Sequence, residues 1–184
     1  MNKNQLIIIL DSSVSQKNNK GIGNALCLWV AYPYNPIQDN HPLSKKLPES
    51  ERYQSGVLME ASPVRSLRCG SIYNSTDGPT KIFYDGIIRA LQSCFYLLKK
   101  EKINEVLILG DCEHAIKQLN GRVGVRQMQP LYNQVKKLEK DFKKDGVDKI
   151  IYLYIKEQDY SLYKKIDGMA KEMREKVSKI FNSH

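Results

Sequence analysis

The sequence predicts an α/β fold in which one mixed β-sheet is flanked by helices. Apolar runs of strand length dominate the first part of the chain, and from about residue 80 the apolar spacing changes to that of amphipathic helices. Two further strand-like runs then alternate with helical segments, an order typical of a sheet covered by helices. With 184 residues, the chain has the length of one domain, which we assign to residues 1–184.

The predicted strands are short apolar segments bounded by polar or glycine-containing stretches. The first two are separated by a polar turn at 12–21, which suggests a hairpin. The next two continue this antiparallel part, and the last two lie between helices. The predicted strands cover residues 5–10, 22–32, 56–61, 67–73, 105–110 and 149–155.

The predicted helices follow from apolar side chains spaced three and four residues apart. The first covers 80–100, and a short second helix covers 112–120. Pro130 lies near the start of the third helix, where proline is tolerated because the first turn leaves its N–H groups unpaired. The last helix begins near residue 160, and its predicted inward side chains include Ile166, Met169 and Ala170.

A proline-rich segment at 33–55 interrupts the predicted elements. It carries four prolines and few apolar side chains, so we expect a long exposed loop. A loop of this length in a compact domain points either to a function or to poor order. If it is functional, a protein partner is the contact we would expect for it.

Composition narrows the expected partners and compartment. The net charge of +9 suits a polyanion such as nucleic acid, although a basic surface can also serve solubility alone. Four cysteines without a C-x-x-C pair fit a reducing compartment and argue against a zinc site. No apolar run is long enough to cross a membrane, and the N-terminus lacks a signal-peptide cleavage pattern. We therefore expect an intracellular protein, cytoplasmic or nuclear, with no membrane partner.

Carboxylates follow two of the predicted strands directly. Asp11 comes after "LIIIL" and Asp111 after "VLILG". If these strands are parallel neighbours, their ends lie roughly 5 Å apart. Two carboxylates at that distance raise each other's pKa unless a cation lies between them, and Mg²⁺ prefers such oxygen ligands. A third carboxylate, Asp167, lies at the edge of the apolar stripe of the last helix.

Each of these carboxylates also has a simpler explanation. Asp11 can cap the following turn, and Asp111 can be the N-cap of the next helix. Asp167 can pair with Lys164 or Lys171 on the surface. Because three carboxylates arrive in this order of strands and helices, a shared metal site is the better interpretation.

Several motifs resemble type 1 ribonuclease H, in the reverse-transcriptase-like branch found in retroelements, archaea and plants. "LILGDCEHAIKQLNG" carries the most specific similarity, with "LDSSVSQKNNKGIGNAL" and "KKIDGMAKEM" matching the opening hairpin and the closing helix. The resemblance implies a ribonuclease H-like five-stranded sheet and two divalent ions, Mg²⁺ or also Mn²⁺, held by four carboxylates. It implies cleavage of the RNA strand in RNA–DNA hybrids, with Asp11, Asp111 and Asp167 as three catalytic metal ligands.

The sequence departs from the family at the fourth ligand. A Glu is expected in the first helix, but "IFYDGIIRAL" places Phe83 in that position. Asp85 is a possible substitute, although two residues along a helix turn it about 200° away. The departure predicts weak or absent metal binding and reduced or lost catalysis. The family's basic residue before the last Asp is best matched by Lys156.

Basic side chains cluster in and before the third predicted helix, where they could follow a phosphate backbone or form an ordinary solvated surface. The candidate nucleic-acid contacts are Arg122, Arg126, Lys136, Lys137, Lys140, Lys143 and Lys144, with Lys156 beyond them. Two main hypotheses result: a metal-dependent ribonuclease acting on RNA–DNA hybrids, or a nucleic-acid-binding module that has lost catalysis. A weaker third is a protein-interaction scaffold that uses the 33–55 loop.

Overall fold

The computed structural model describes residues 4–15, 25–34, 68–74, 78–155 and 161–182. The strands are β1 (Gln5–Val14), β2 (Ala25–Tyr34), β3 (Arg68–Asn74), β4 (Glu105–Gly110) and β5 (Lys149–Tyr154). The helices are α1 (Pro79–Lys100), α2 (Glu113–Leu119), α3 (Gln129–Lys144) and α4 (Ser161–Asn182), with a short 3₁₀ turn at Arg126–Met128 before α3.

The five strands form one mixed sheet, which confirms the predicted α/β fold. Their order is β3-β2-β1-β4-β5. The first three strands pair antiparallel, whereas β1–β4 and β4–β5 are parallel. Helices α2 and α3 form the crossover between the parallel strands β4 and β5, and α1 leads from β3 to β4. The central strand β1 therefore has an antiparallel neighbour on one side and a parallel neighbour on the other.

Both faces of the sheet are buried, because helices cover each of them. Alternate side chains of a strand point to opposite faces. Leu6, Ile8 and Leu10 pack with α1, α2 and α3, and Ile7 and Ile9 pack with α4. Full burial of each such side chain contributes about 1.5–3 kcal/mol. This two-sided burial explains why the first strand is a continuous apolar run.

The first hairpin differs from the prediction in its boundaries. The expected strand ended at Leu10, but β1 continues to Val14 because its pairing with β2 extends past the end of β4. Asp11 therefore lies inside β1, opposite Leu28, and does not follow the strand as predicted. Residues 12–14, expected in the polar turn, also belong to the strand.

Several predictions lie wholly or partly outside the described residues. Pro33 and Tyr34 form the end of β2, so the exposed loop predicted at 33–55 begins later than expected. The remainder of that loop and the strand predicted at 56–61 lie outside the described residues. Within the described part of the chain, no helix is long and apolar enough to span a membrane. Within the described residues, Cys27, Cys94 and Cys112 are not joined in disulfide bonds.

Helix α1 approaches the sheet closely at one glycine. A Cβ atom on Gly86 would overlap the sulfur of Cys27 and would lie 3.2 Å from Cδ2 of Leu10. Only glycine lets the helix backbone come this near to β1 and β2. The contact fixes the height and rotation of α1, and with them the position of Phe83 one turn earlier.

Candidate functional site

Asp11 and Asp111 lie together at the carboxyl edge of the central parallel pair. Leu10 and Gly110 are paired in the register of β1 and β4. Asp11 directly follows Leu10, and Asp111 directly follows Gly110. Neighbouring carboxyl ends of parallel strands are a common position for polar sites in α/β folds. The N-cap of α2 is Cys112, so Asp111 is not the N-cap residue that the simpler explanation required.

Asp11 is buried, with 1% of its surface exposed. Its Oδ1 atom accepts a hydrogen bond of 2.5 Å from the hydroxyl of Tyr163. Its Oδ2 atom is also buried and has no hydrogen-bond partner among the described residues. The pKa of Asp11 is raised to about 7, chiefly by burial; the Tyr163 hydrogen bond lowers it, and the charges of Asp111 and Asp167 contribute to the rise. Near neutral pH this carboxyl therefore holds a proton for much of the time.

Tyr163, which the sequence pattern does not single out, also belongs to the candidate site. It comes from the first turn of α4 and is 1% exposed. Burial raises the pKa of its hydroxyl far above the usual value, and the nearby charges of Asp11 and Asp111 raise it further. Its hydroxyl is hydrogen-bonded to Asp11, with Asp111 at the end of the neighbouring strand. The available signal was its spacing, because Tyr163 precedes Asp167 by one turn of the same helix.

The inward stripe of α4 also differs from the prediction. Tyr163, Ile166 and Ala170 are buried against β1 and β2. Met169, which was expected to face inward, is 45% exposed. The apolar side chains of α4 are spread over more than one face of the helix. Spacing alone therefore did not identify the face that packs against the sheet.

Asp167 is engaged by a neighbour on its own helix. Its Oδ2 atom accepts a hydrogen bond of 2.6 Å from Lys171, and 14% of its side chain is exposed. This is the surface pairing that the simpler explanation proposed. Asp167 still lies near enough to Asp11 for its charge to raise the pKa of that residue.

Phe83 lies on the opposite side of the sheet from Tyr163, directly under the end of β4. It is fully buried, and a Cβ atom on Gly110 would overlap its ring. An apolar ring therefore occupies the space beside the residue that precedes Asp111. Asp85 is partly exposed, whereas Phe83 is not, in agreement with the expected rotation along the helix.

The donor set does not fit the two-ion site that the family resemblance implies. Among the described residues, no three His, Cys, Asp or Glu side chains are grouped so that they could hold a metal ion. Asp11 accepts a hydrogen bond from a tyrosine hydroxyl, Asp167 is paired with a lysine, and Phe83 has no donor atom. The arrangement can bind a proton, but it does not present converging carboxylates.

Helix α3 exposes a continuous basic surface, which we call the lysine face. It lies opposite the buried side chains Val135 and Phe142 of the same helix. At the edge of this surface, Asp141 forms an ion pair of 3.4 Å with Lys144. The lysine face consists of the exposed residues Lys137, Lys140, Lys143 and Lys144.

Lys136, predicted as a contact for nucleic acid, is instead engaged within the protein. Its ammonium lies 2.7 Å from Oε1 of Glu139 and 3.3 Å from the carbonyl oxygen of Leu119. It also lies over the rings of Tyr132 and Tyr152, at 5.2 and 5.6 Å from their centroids. These partners come from α3 itself, from β5 and from the last residue of α2, so Lys136 joins α3 to β5 and α2.

The remaining basic candidates lie in or beyond the connection between α2 and α3. Arg122 and Arg126 are exposed there, whereas Lys156 lies outside the described residues. Arg126 lines an open groove of about 640 Å³ together with His114 and Gln118. The Gln118 amide holds the connection by donating to the carbonyl oxygen of Gly124 at 3.0 Å.

The arrangement of strands and helices is similar to that of solved ribonuclease H structures. RNase H1 from the halophilic archaeon Halobacterium salinarum NRC-1 matches with a TM-score of 0.55 at 14% identity, over 91% of this chain and 96% of that chain. LC11-RNase H1, isolated from compost by a metagenomic approach, matches with a TM-score of 0.60 at 16% identity, over 96% and 99%. A structure of LC11-RNase H1 in complex with an RNA/DNA hybrid matches with a TM-score of 0.57 at 15% identity, over 91% of this chain and 97% of that chain.

These similarities establish the ribonuclease H-like fold that the sequence analysis expected. The sequence itself matches no protein-family model and no curated protein. Since a shared fold can carry different functions, the function has to be argued from the site.

Proposed function

We propose that this chain is a nucleic-acid-binding domain, derived from the reverse-transcriptase-like branch of type 1 ribonucleases H, that holds RNA–DNA hybrids without cleaving them at ribonuclease rates. The observation that carries the proposal is the lysine face of α3, presented on a ribonuclease H-like fold. The solved neighbour LC11-RNase H1 is in complex with an RNA/DNA hybrid, which supports a hybrid as the first ligand to test.

The lysine face has the charge and the length to follow a phosphate backbone. From Lys137 to Lys144 the helix rises about 10 Å, at 1.5 Å per residue. That length corresponds to about three phosphates on one strand, at 3.4 Å each. The four lysines are part of the positive charge that gives the chain a net charge of +9. Arg122 and Arg126 extend the positive surface toward the groove beside α2.

The carboxylate site supports binding better than hydrolysis. Two-metal hydrolysis needs several oxygen ligands around two ions about 4 Å apart. Phe83 supplies no ligand and fills the neighbouring space. Tyr163 donates a hydrogen bond to Asp11, and Lys171 pairs with Asp167. Mg²⁺ or Mn²⁺ bound in this setting would lack the ligand number that the chemistry requires.

A metal-dependent ribonuclease remains the second candidate, favoured by one specific observation. The carboxylates of Asp11 and Asp111 do share the end of the parallel pair, and Oδ2 of Asp11 is buried without a hydrogen-bond partner among the described residues. Such an oxygen can hold either a proton or a cation. Under this second hypothesis, hybrid cleavage would depend on Mg²⁺ and on both aspartates.

The salt dependence of hybrid binding tests the proposed surface. We expect affinity for an RNA–DNA hybrid to fall steeply with salt, because each phosphate contact releases a counterion. The double variant Lys137→Gln/Lys140→Gln should flatten the slope of log K against log salt by about 1.4 to 1.8, since each contact contributes about 0.7 to 0.9. Fluorescence anisotropy with a labelled hybrid, across a series of KCl concentrations, measures both slopes.

A matched variant separates local contact from net charge. Lys176→Gln/Lys179→Gln removes the same charge from α4, on the other side of the sheet. Its slope should stay that of the wild type. Equal flattening by both double variants would show that only overall charge matters, and no flattening by the first would locate the binding surface elsewhere.

A further inference from the structure

We infer that the hydroxyl of Tyr163 takes the position of a divalent cation between Asp11 and Asp111, so that α4 closes the carboxylate site against metal ions. The inference deepens one part of the proposed function, the lack of metal-dependent cleavage. It is independent of how nucleic acid is bound.

The first support is the space that the hydroxyl occupies. Mg²⁺ lies 2.0–2.1 Å from its oxygen ligands and usually keeps several waters. The hydroxyl oxygen of Tyr163 lies 2.5 Å from Oδ1 of Asp11, and Asp111 is close enough for its charge to raise the pKa of the same hydroxyl. An ion shared by these two carboxylates would have to lie where the hydroxyl is. The two cannot be present together.

The second support is the fixed position of the tyrosine. Its ring belongs to the apolar cluster between α4 and the sheet, where it packs with Ile9, Leu109 and Ile155. Tyr163 and Asp11 are each only 1% exposed, so neither has room for the waters of a hydrated ion. Displacing the hydroxyl therefore requires the first turn of α4 to move away from β1.

The third support is chemical. A hydroxyl donor satisfies a buried carboxylate oxygen without bringing a second charge into the interior, where an ion pays a large desolvation cost. Asp167, the candidate ligand on α4, is paired with Lys171 at 2.6 Å. Tyr163 thus takes the place on α4 from which a third ligand would have to reach the strand carboxylates.

Cation binding by variants of Tyr163 tests the inference. The probe is Mn²⁺ alone, with free ion followed by electron paramagnetic resonance at neutral pH. Tyr163→Ala removes the hydroxyl and the ring, and we expect it to bind Mn²⁺ at least tenfold more tightly than the wild type. Tyr163→Phe removes only the hydroxyl, and it should show a smaller gain. Adding Asp11→Asn to either variant should abolish the gain.

Tyr152→Phe provides a matched control for the loss of a buried hydroxyl. Tyr152 is buried, and its hydroxyl donates to Glu139 at 2.7 Å, away from the strand carboxylates. This control should bind Mn²⁺ no better than the wild type. If Tyr163→Ala does not fold, as judged by circular dichroism, Tyr163→Phe decides the question by itself.

Two results would overturn the inference. One is wild-type protein that already binds Mn²⁺ as tightly as the Tyr163 variants, in an Asp11-dependent manner. The other is a folded Tyr163 variant with no gain in Mn²⁺ affinity over Tyr152→Phe. Failure of hybrid binding in the salt series would instead contradict the proposed function and leave the cation result unchanged, so the two failures can be told apart.

Discussion

Replacing Asp11 with Asn is expected to stabilise the domain at pH 8 and to remove much of its pH dependence between pH 4 and 7. The pKa of Asp11 rises from 3.8 to about 7 on folding, chiefly because the carboxyl is buried. Between those values the folded state binds more protons than the unfolded state, so stability falls as pH rises. The stability that the proton provides is complete below about pH 4 and is lost as pH passes 7.

The expected size of this effect is large for a single substitution. A shift of about three pKa units corresponds to about 4 kcal/mol as an upper limit, at 1.36 kcal/mol per unit. Asn is neutral at every pH and can still accept the Tyr163 hydrogen bond. Asp11→Asn should therefore match the wild type near pH 4 and exceed it by a few kcal/mol at pH 8.

Urea unfolding at pH 5 and pH 8 measures the difference. Asp148→Asn is the matched control, because Asp148 is exposed and lies at the start of β5, away from the site. It should leave the pH dependence of the wild type in place. The contradicting result is a wild-type domain that becomes more stable from pH 5 to pH 8, with Asp11→Asn showing the same pH dependence. It would show that the carboxyl of Asp11 is not buried.

Replacing Phe83 with Glu is expected to destabilise the domain strongly when no divalent cation is present. The substitution removes a fully buried ring that covers Gly110. Loss of a buried Phe typically costs 3–5 kcal/mol, and burying a new carboxylate beside Gly110, the residue before Asp111, adds a desolvation cost. The total should exceed about 4 kcal/mol, so a stabilising background such as Asp11→Asn is useful for the measurement.

Phe83→Leu is the matched control, since it keeps an apolar side chain in the same space. Thermal melting in EDTA should place Phe83→Glu well below Phe83→Leu. If the carboxylate site can be rebuilt, millimolar MnCl₂ should recover stability in Phe83→Glu/Tyr163→Phe but not in Phe83→Leu, because a ligand that binds only the folded state stabilises it. Equal melting of Phe83→Glu and Phe83→Leu in EDTA would contradict the buried position of Phe83 beside the site.

The sheet could be predicted because its signal is local. Apolar runs such as those of β1 and β4 are read directly from neighbouring residues, and the change of period near residue 80 separates helix from strand. The end of β1 could not be predicted in this way. It depends on where β2 continues to pair beyond β4, and that register is a property of the assembled sheet.

The site could be predicted only in part, since its key contact joins distant segments. The proximity of Asp11 and Asp111 could be predicted because each follows an apolar run, and the two runs are parallel neighbours in the sheet. Tyr163 lies 152 residues after Asp11, and only the packing of α4 on the sheet brings them together. The internal role of Lys136 was missed for the same reason, since its partners come from different elements.

The most direct test of a domain that binds hybrids without cleaving them measures binding and cleavage on the same samples. Wild-type protein is incubated with an RNA–DNA hybrid labelled on the RNA strand, in MgCl₂ or in EDTA, and each sample is divided between a native gel and a denaturing gel. We expect a similar shifted fraction in both conditions and an intact RNA strand throughout. Mg²⁺-dependent cleavage of the RNA strand, lost in Asp111→Asn, would contradict this and identify the domain as an active ribonuclease.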